Sequence, residues 1–263
     1  MKIAVLVKQV PGSESPLPIQ SDQKWVDEGA VAYVMNESDN YALEEALQIK
    51  EANGEGEVVA VSLGPIRIQK VIREALAKGA DRAIHIQMET AGAVDPLTTA
   101  GLFADALKAE NFDLIFSGLQ SDDVGMGQTG VILGEMMGMA TASLAMATEV
   151  GDGKIKVKRE LEAGWFQWVS LSLPASVTIQ SGLNTPRYPS LKGIMGAKRK
   201  EIKVVESNAG DGKQSLEKVY VPQSEKQTVM IEGTVDQMVE KLIDTFVTTL
   251  KYYRGNHGYF NHT

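Results

Sequence analysis

Cysteine is absent from the 263-residue chain, which excludes disulfides, thiolate metal centres and a cysteine nucleophile. Histidine is scarce. His85, His257 and His262 offer no spacing that sets two of them on one helical face, so no metal site is expected. No apolar run approaches the roughly 20 residues that a membrane span needs, and the opening MKIAVLVK carries no cleavage-site pattern. A soluble, cytoplasmic protein without a membrane span is the expectation. An excess of basic charge is lacking too: the formal net charge is −8, which argues against nucleic acid as a partner. Two phosphate motifs are also missing. No Walker loop with its Lys-Ser/Thr pair occurs, and KQVPGSES stands after the first apolar run, where a Gly-x-Gly-x-x-Gly fingerprint would fall.

What is present alternates between two periods. IAVLV at 3–7, EVVAVSLG at 57–64, RAIHIQ at 82–87 and FDLIFSG at 112–118 are apolar runs suited to strands buried on both faces. Between them lie helical stripes. One starts at NESDN, 36–40, and ends near Gly54; another spans 68–79 with Gly79 as its stop; a third opens at the cap pair Asp95-Pro96. The stretch from 1 to about 145 therefore reads as a doubly wound α/β parallel sheet. Further on, KIKVKREL, WFQWVSLSL and ASVTIQ are short and alternating, with turn residues between them, and predict added antiparallel strands. The expected organisation is one α/β domain over 1–205, including a loop at 182–200, then an arm and helix over 206–263. Thr234 and Gln237 form a capping box for that helix. Its apolar stripe, Val235 to Phe246, can be covered by its own sheet or by a partner chain.

Two segments stand apart from this pattern. SGLQSDDVGMGQTG, 117–130, links a strand to a helix. Gly118, Gly125, Gly127 and Gly130 allow close backbone approach, and Ser121, Gln128 and Thr129 offer donors beside a helix N-terminus, where an anion is favoured. Spacing alone also permits a loop that is flexible through glycine. The turn holds Asp122 and Asp123 but supplies no base, nucleophile or phosphate-gripping lysine, so no catalytic residue is assigned. The other segment, VTIQSGLNTPRYPSLKGIMGAKRK, sets Leu191, Ile194 and Met195 among Lys192, Lys198, Arg199 and Lys200. Apolar residues ringed by charge suit a docking surface, although a solvated surface loop gives the same pattern.

LNTPRYPSLKGIMGAKRK resembles the signature of the electron transfer flavoprotein β subunit. KIAVLVKQV, MNESDNYALEEALQIKE, AVSLGP, REALAKGADRAIHI, GLQSDDVGMGQTG and KRELEAG are similar to that family in the same order, covering roughly 1–205. The resemblance implies a Rossmann-like, adenine nucleotide α-hydrolase-like fold that pairs with an α subunit carrying the redox FAD. This subunit would bury a structural AMP. Matching positions place that AMP against Leu6, Asn36, Glu37, Ser38, Asp39, Leu63, Gly118, Gln120, Ser121, Asp122, Asp123, Val124, Gly125, Met126, Gly127, Gln128 and Thr129. Leu191 matches the family's anchor for partner dehydrogenases, with Pro189, Ile194 and Met195 around it, and Glu160 matches the acid that positions the mobile flavin domain.

The resemblance further implies an electron carrier rather than an enzyme. Its donors would be flavin dehydrogenases such as acyl-CoA dehydrogenases, and its acceptor of the quinone-oxidoreductase type. One departure bears on the ligand. Asp122-Asp123-Val124-Gly125-Met126-Gly127 replaces the run of three acids and an asparagine that several members carry, so phosphate contacts would fall on backbone. Electron-bifurcating relatives hold a second, reactive FAD in this pocket and show Asp-Gly-Asp-Thr-Ala-Gln-Val-Gly-Pro there. That pattern is absent, and AMP is the expectation over a second FAD. A stand-alone ATP-binding α/β protein is the remaining alternative. The tail 251–263 matches nothing in the family pattern.

Overall fold

A computed structural model describes residues 1–89, 94–207, 212–223 and 228–249. The chain divides into two compact units, Met1–Tyr220 and Val221–Thr263. The tail from 251, with His257 and His262, lies outside the described residues.

The first unit is built on a nine-stranded sheet. In chain order its strands are β1 (Lys2–Leu6), β4 (Glu57–Gly64), β5 (Arg82–Gln87), β6 (Leu114–Gly118), β7 (Ala140–Gly151), β8 (Lys154–Glu160), β9 (Phe166–Ser172), β10 (Ala175–Ile179) and β11 (Ile202–Glu206). A separate two-stranded ribbon pairs β2 (Gln9–Pro11) with β3 (Tyr33–Met35). The helices are α1 (Glu37–Asn53), α2 (Gln69–Lys78), α3 (Pro96–Leu107), α4 (Thr129–Met136) and α5 (Leu191–Ala197).

Across the large sheet the order is β11-β5-β4-β1-β6-β10-β7-β8-β9. All strands from β11 to β7 run parallel, and β8 and β9 close the far edge antiparallel. Successive residues of a strand point to opposite faces, and β1 shows the consequence. Ile3, Val5 and Val7 join the core under α1 and α2, whereas Ala4 and Leu6 join the core under α3 and α4. Helices cover both faces, so the predicted doubly wound α/β sheet is present, with antiparallel strands added.

One expectation is corrected. ASVTIQ forms no hairpin: β10 lies inside the sheet, parallel to both β6 and β7. Its polar residues gave the false alternation. Ser176 and Thr178 are 1% exposed, and their hydroxyls are used internally, Ser176 Oγ donating to Gly130 O at 3.0 Å and Thr178 Oγ1 accepting from Leu144 N at 3.4 Å. A hydroxyl satisfied in this way is tolerated in a central strand. Four strands were not read from the sequence: β2 and β3 of the ribbon, β7, which follows the helix after the glycine-rich turn, and β11, which adds to the opposite edge beside β5.

In the second unit, α6 (Val235–Asp244) starts at the expected capping box, Thr234 accepting from Gln237 N while the Gln237 side chain takes the Thr234 amide. Val235, Val239, Leu242, Ile243 and Phe246 are exposed along one stripe. Among the described residues, no helix is long and apolar enough to cross a membrane.

Candidate functional site

From β1 the chain builds outward to β4 and β5, then returns to the other side of β1 to make β6. In an open parallel sheet, that reversal leaves a crevice beyond the carboxyl ends of the two central strands. A cavity of about 480 Å³ lies there. Its walls come from Leu6 and Lys8 after β1, Leu63 to Pro65 after β4, the turn after β6 and the first residues of α4. Trp25, Met88, Phe103, Leu216 and Val219 add apolar walls. Backbone and side-chain bonds from Val219 N to Gln23 O and from Lys24 Nζ to Glu217 O, each 2.8 Å, hold two of these segments together.

The glycine-rich turn is set by the first turn of α1. Asn36 Oδ1 accepts from Asp122 N at 2.9 Å, and its Nδ2 donates to Gln120 O at 3.0 Å. Ser38 Oγ donates to Gln120 O at 2.8 Å, and Glu37 N donates to Asp122 Oδ2 at 3.1 Å. Beneath them Asp39 accepts from Lys8 N at 2.7 Å and from Gly118 N at 2.9 Å, tying the ends of β1 and β6 together. Burial pushes its carboxyl up to about 7, against those two amide bonds, which favour the charged form. This packing explains Gly118: a Cβ there would run into Ser38 Oγ and Asp39 Oδ1.

At the far side, α4 begins without a side-chain cap from Gln128, leaving its first-turn amides without a partner from that residue. Gly130 brings this turn down onto β6 and β10, where a Cβ would strike Ser117 Oγ and come within 2.8 Å of Thr178 Cγ2. Ser117 itself is 7% exposed, lines the cavity, and its Oγ has no hydrogen-bond partner. A buried hydroxyl without a partner is costly. Together with the uncapped helix end, it leaves polar groups without a protein partner beside the cavity.

Cationic groups also reach the cavity. Lys8 Nζ donates to Asp123 Oδ1 at 2.7 Å and to Ser121 Oγ at 3.2 Å, and Arg67 pairs with Glu28 at 3.0 Å while stacking on Tyr33 at 4.0 Å. Burial pushes the Asp123 carboxyl up, but the Lys8 ammonium outweighs it and holds the group below its ordinary value. The sequence places Lys8 in a turn beyond the first strand but does not reveal its pairing with Asp123, because the two lie 115 residues apart. Ser117 was missed as well; its position as the last buried polar residue of a central strand was the available signal.

The residues singled out from the sequence divide by position. Leu6, Asn36, Asp39, Leu63, Gly118, Gln120, Ser121, Asp123, Val124, Met126, Gly127, Gln128 and Thr129 line the cavity. Glu37, Ser38, Asp122 and Gly125 do not; the first three brace the turn from behind. Glu160 ends β8, on the antiparallel edge, and accepts from Gln180 Nε2 at 3.0 Å. The segment 182–200 contains α5, capped by Ser190 Oγ, which accepts from Gly193 N at 3.0 Å. Leu191 and Met195 are 83% and 73% exposed, Ile194 is also exposed, and Pro189 is half-buried.

Fold and crevice together define a doubly wound, Rossmann-like α/β protein with a cavity at the switch point of the sheet. Comparison with known proteins narrows this. Residues 24–209 match the family model of the electron transfer flavoprotein domain. The chain is 38% identical over 256 residues to the electron transfer flavoprotein subunit beta of Methylophilus methylotrophus, covering 92% of this chain and 97% of that one. It is 34% identical over 251 residues to the Syntrophomonas wolfei subunit beta, at 95% and 98% coverage. The Arabidopsis thaliana protein named electron transfer flavoprotein subunit beta, mitochondrial, is 38% identical over 248 residues, at 92% and 97%. The chain belongs to the electron transfer flavoprotein β subunit family.

Proposed function

We propose that the chain is the β subunit of a heterodimeric electron carrier, holding AMP as a structural ligand while electrons travel on an FAD carried mainly by the α subunit. The observation that carries the nucleotide assignment is the unpartnered Ser117 Oγ beside the uncapped start of α4. Donors and a helix dipole in a cavity that also has apolar walls suit a ligand with an anionic part and an aromatic part. The cavity volume of about 480 Å³ is in the range for a mononucleotide.

In this reading the chain's own residues do no bond chemistry. The turn after β6 and the α4 amides receive the phosphate, Lys8 adds positive charge near it, and the walls around Phe103 and Leu63 exclude water. Bound FAD supplies the redox chemistry. The exposed apolar residues of α5 present a docking surface to a flavin dehydrogenase, with Leu191 as the anchor; Glu160 positions the flavin domain of the partner, and the stripe of α6 packs on the α subunit. A quinone-linked acceptor and a cytoplasmic setting complete the reading.

Analysis of nucleotides released from the purified native heterodimer tests the central claim, alongside its visible spectrum. The expected result is one FAD and one AMP per heterodimer. Two FAD without AMP would replace the structural role with a bifurcating one, and no nucleotide in the β subunit would remove the assignment.

A further inference from the structure

The segment carrying Leu191 is fixed far more firmly than its exposure requires. On its N-terminal side Arg187 forks across two carboxylates of α1. Its Nε and Nη2 meet Glu44 at 2.8 and 3.0 Å, and its Nη1 and Nη2 meet Glu51 at 2.5 and 3.0 Å. The backbone amide of Arg187 also donates to Glu44 Oε2, at 3.2 Å. Just before it, Asn184 Nδ2 donates to Tyr41 O at 3.1 Å and Glu45 Oε2 at 3.0 Å, again on α1. On the C-terminal side Arg73 of α2 donates to Ala197 O at 2.6 Å and Lys200 O at 3.0 Å, and Lys200 Nζ caps the end of α2 at Leu76 O and Ala80 O. Between these ends Gly193 lies so close to Ala77 O that a Cβ would not fit.

Glu44 is 5% exposed, and such a carboxylate belongs inside only when paired. A bidentate guanidinium supplies both charge and direction. What the fork directs is the segment leading into α5, where Tyr188 ahead of the helix and Leu191 and Met195 on it are 94%, 83% and 73% exposed and gain nothing from the fold. Holding exposed apolar side chains in one arrangement removes an ordering cost from association.

We propose that Arg187 is a positioning residue for partner docking: through Glu44 and Glu51 it fixes α5 before the donor arrives and so sets the orientation of Leu191. This rests on the docking surface proposed above. The electrons themselves bypass Arg187. Its loss raises the concentration of donor needed and leaves the rate at saturation in place.

The test uses the complete heterodimer with a purified acyl-CoA dehydrogenase, reduced by its substrate, as the electron donor. In Arg187→Met, KM for the dehydrogenase rises about fivefold with kcat within about twofold. Backbone amides of residues 188–197 exchange about tenfold faster, those of α4 are unchanged, and FAD and AMP contents are those of the wild type. Arg187→Lys restores part of the KM. Should Arg187→Met fold poorly with Glu44 unpaired, Glu51→Gln removes only the exposed half of the fork and shifts KM and exchange in the same direction by a smaller factor. Normal exchange and normal KM in both variants, beside a raised KM in Leu191→Ala, overturn the role of Arg187 alone. An unchanged KM in Leu191→Ala overturns the docking surface and this inference with it.

Discussion

Asp39, in the first turn of α1, accepts the amide of Gly118 at the end of β6 through one carboxylate oxygen, at 2.9 Å, while the other takes the amide of Lys8 after β1 at 2.7 Å. One buried side chain thus ties together the ends of the two paired strands beyond which the crevice opens.

Because burial raises the Asp39 carboxyl from 3.8 to about 7, the folded chain binds more protons than the unfolded one in that interval, and stability falls as pH rises through it. Asp39→Asn removes the titration and leaves one of the two amides without an acceptor, at about 1–3 kcal/mol. The stability advantage of wild type over Asp39→Asn is therefore expected to shrink between about pH 4 and 7, read from thermal midpoints. A gap that widens with pH would show that the amide bonds dominate burial.

Gly118→Ala drives a methyl into Ser38 Oγ and Asp39. Overpacking of this kind costs about 1–3 kcal/mol, and the movement that relieves it displaces the turn. A lower thermal midpoint together with loss of co-purifying adenylate is expected; wild-type retention would show that the turn absorbs the methyl.

Ser117→Ala separates the ligand's need from the fold's. In nucleotide-free protein the substitution is neutral or stabilising, because it deletes a buried hydroxyl that has no partner. Adenylate retention falls at least about fivefold, measured by equilibrium dialysis with AMP. A destabilised nucleotide-free variant would assign that oxygen to the fold instead.

Glu110 is held down to about 2 by the hydrogen bond from Lys203, against burial, with Lys2 and Arg82 adding further bonds. Its folded value lies below the ordinary 4.5, so its contribution is present above 4.5 and is lost as pH falls towards 2. Glu110→Gln is expected to flatten acid unfolding in that window and to raise hydrogen exchange in β11, which Lys203 ties to this cluster. An unchanged acid profile would show that the cluster acts elsewhere.

Local signals carried well from sequence to structure. The apolar runs of β1, β4, β5 and β6 are central strands, because only strands covered on both faces are apolar throughout. Asp95 caps α3 by accepting from Thr98 N at 2.9 Å, and Thr234 caps α6, since a cap involves residues only three apart. The turn at 117–130 was visible as a glycine-rich link between strand and helix for the same reason. Its brace by α1 was not legible: Ser38 Oγ and Glu37 N bond to the turn across more than eighty residues of sequence.

By itself the sequence determined the central strands β1, β4, β5 and β6, the starts of α1, α3 and α6, and the glycine-rich turn between a strand and a helix, because hydrophobic period, capping chemistry and glycine act within a few residues. Tertiary structure alone decided that β10 enters the sheet between β6 and β7, that Lys8 reaches Asp123, and that Arg187 grips Glu44 and Glu51. Those pairings depend on the order in which strands are laid beside one another. Residues more than a hundred positions apart meet only after that order is set, and nothing in their immediate neighbours records it.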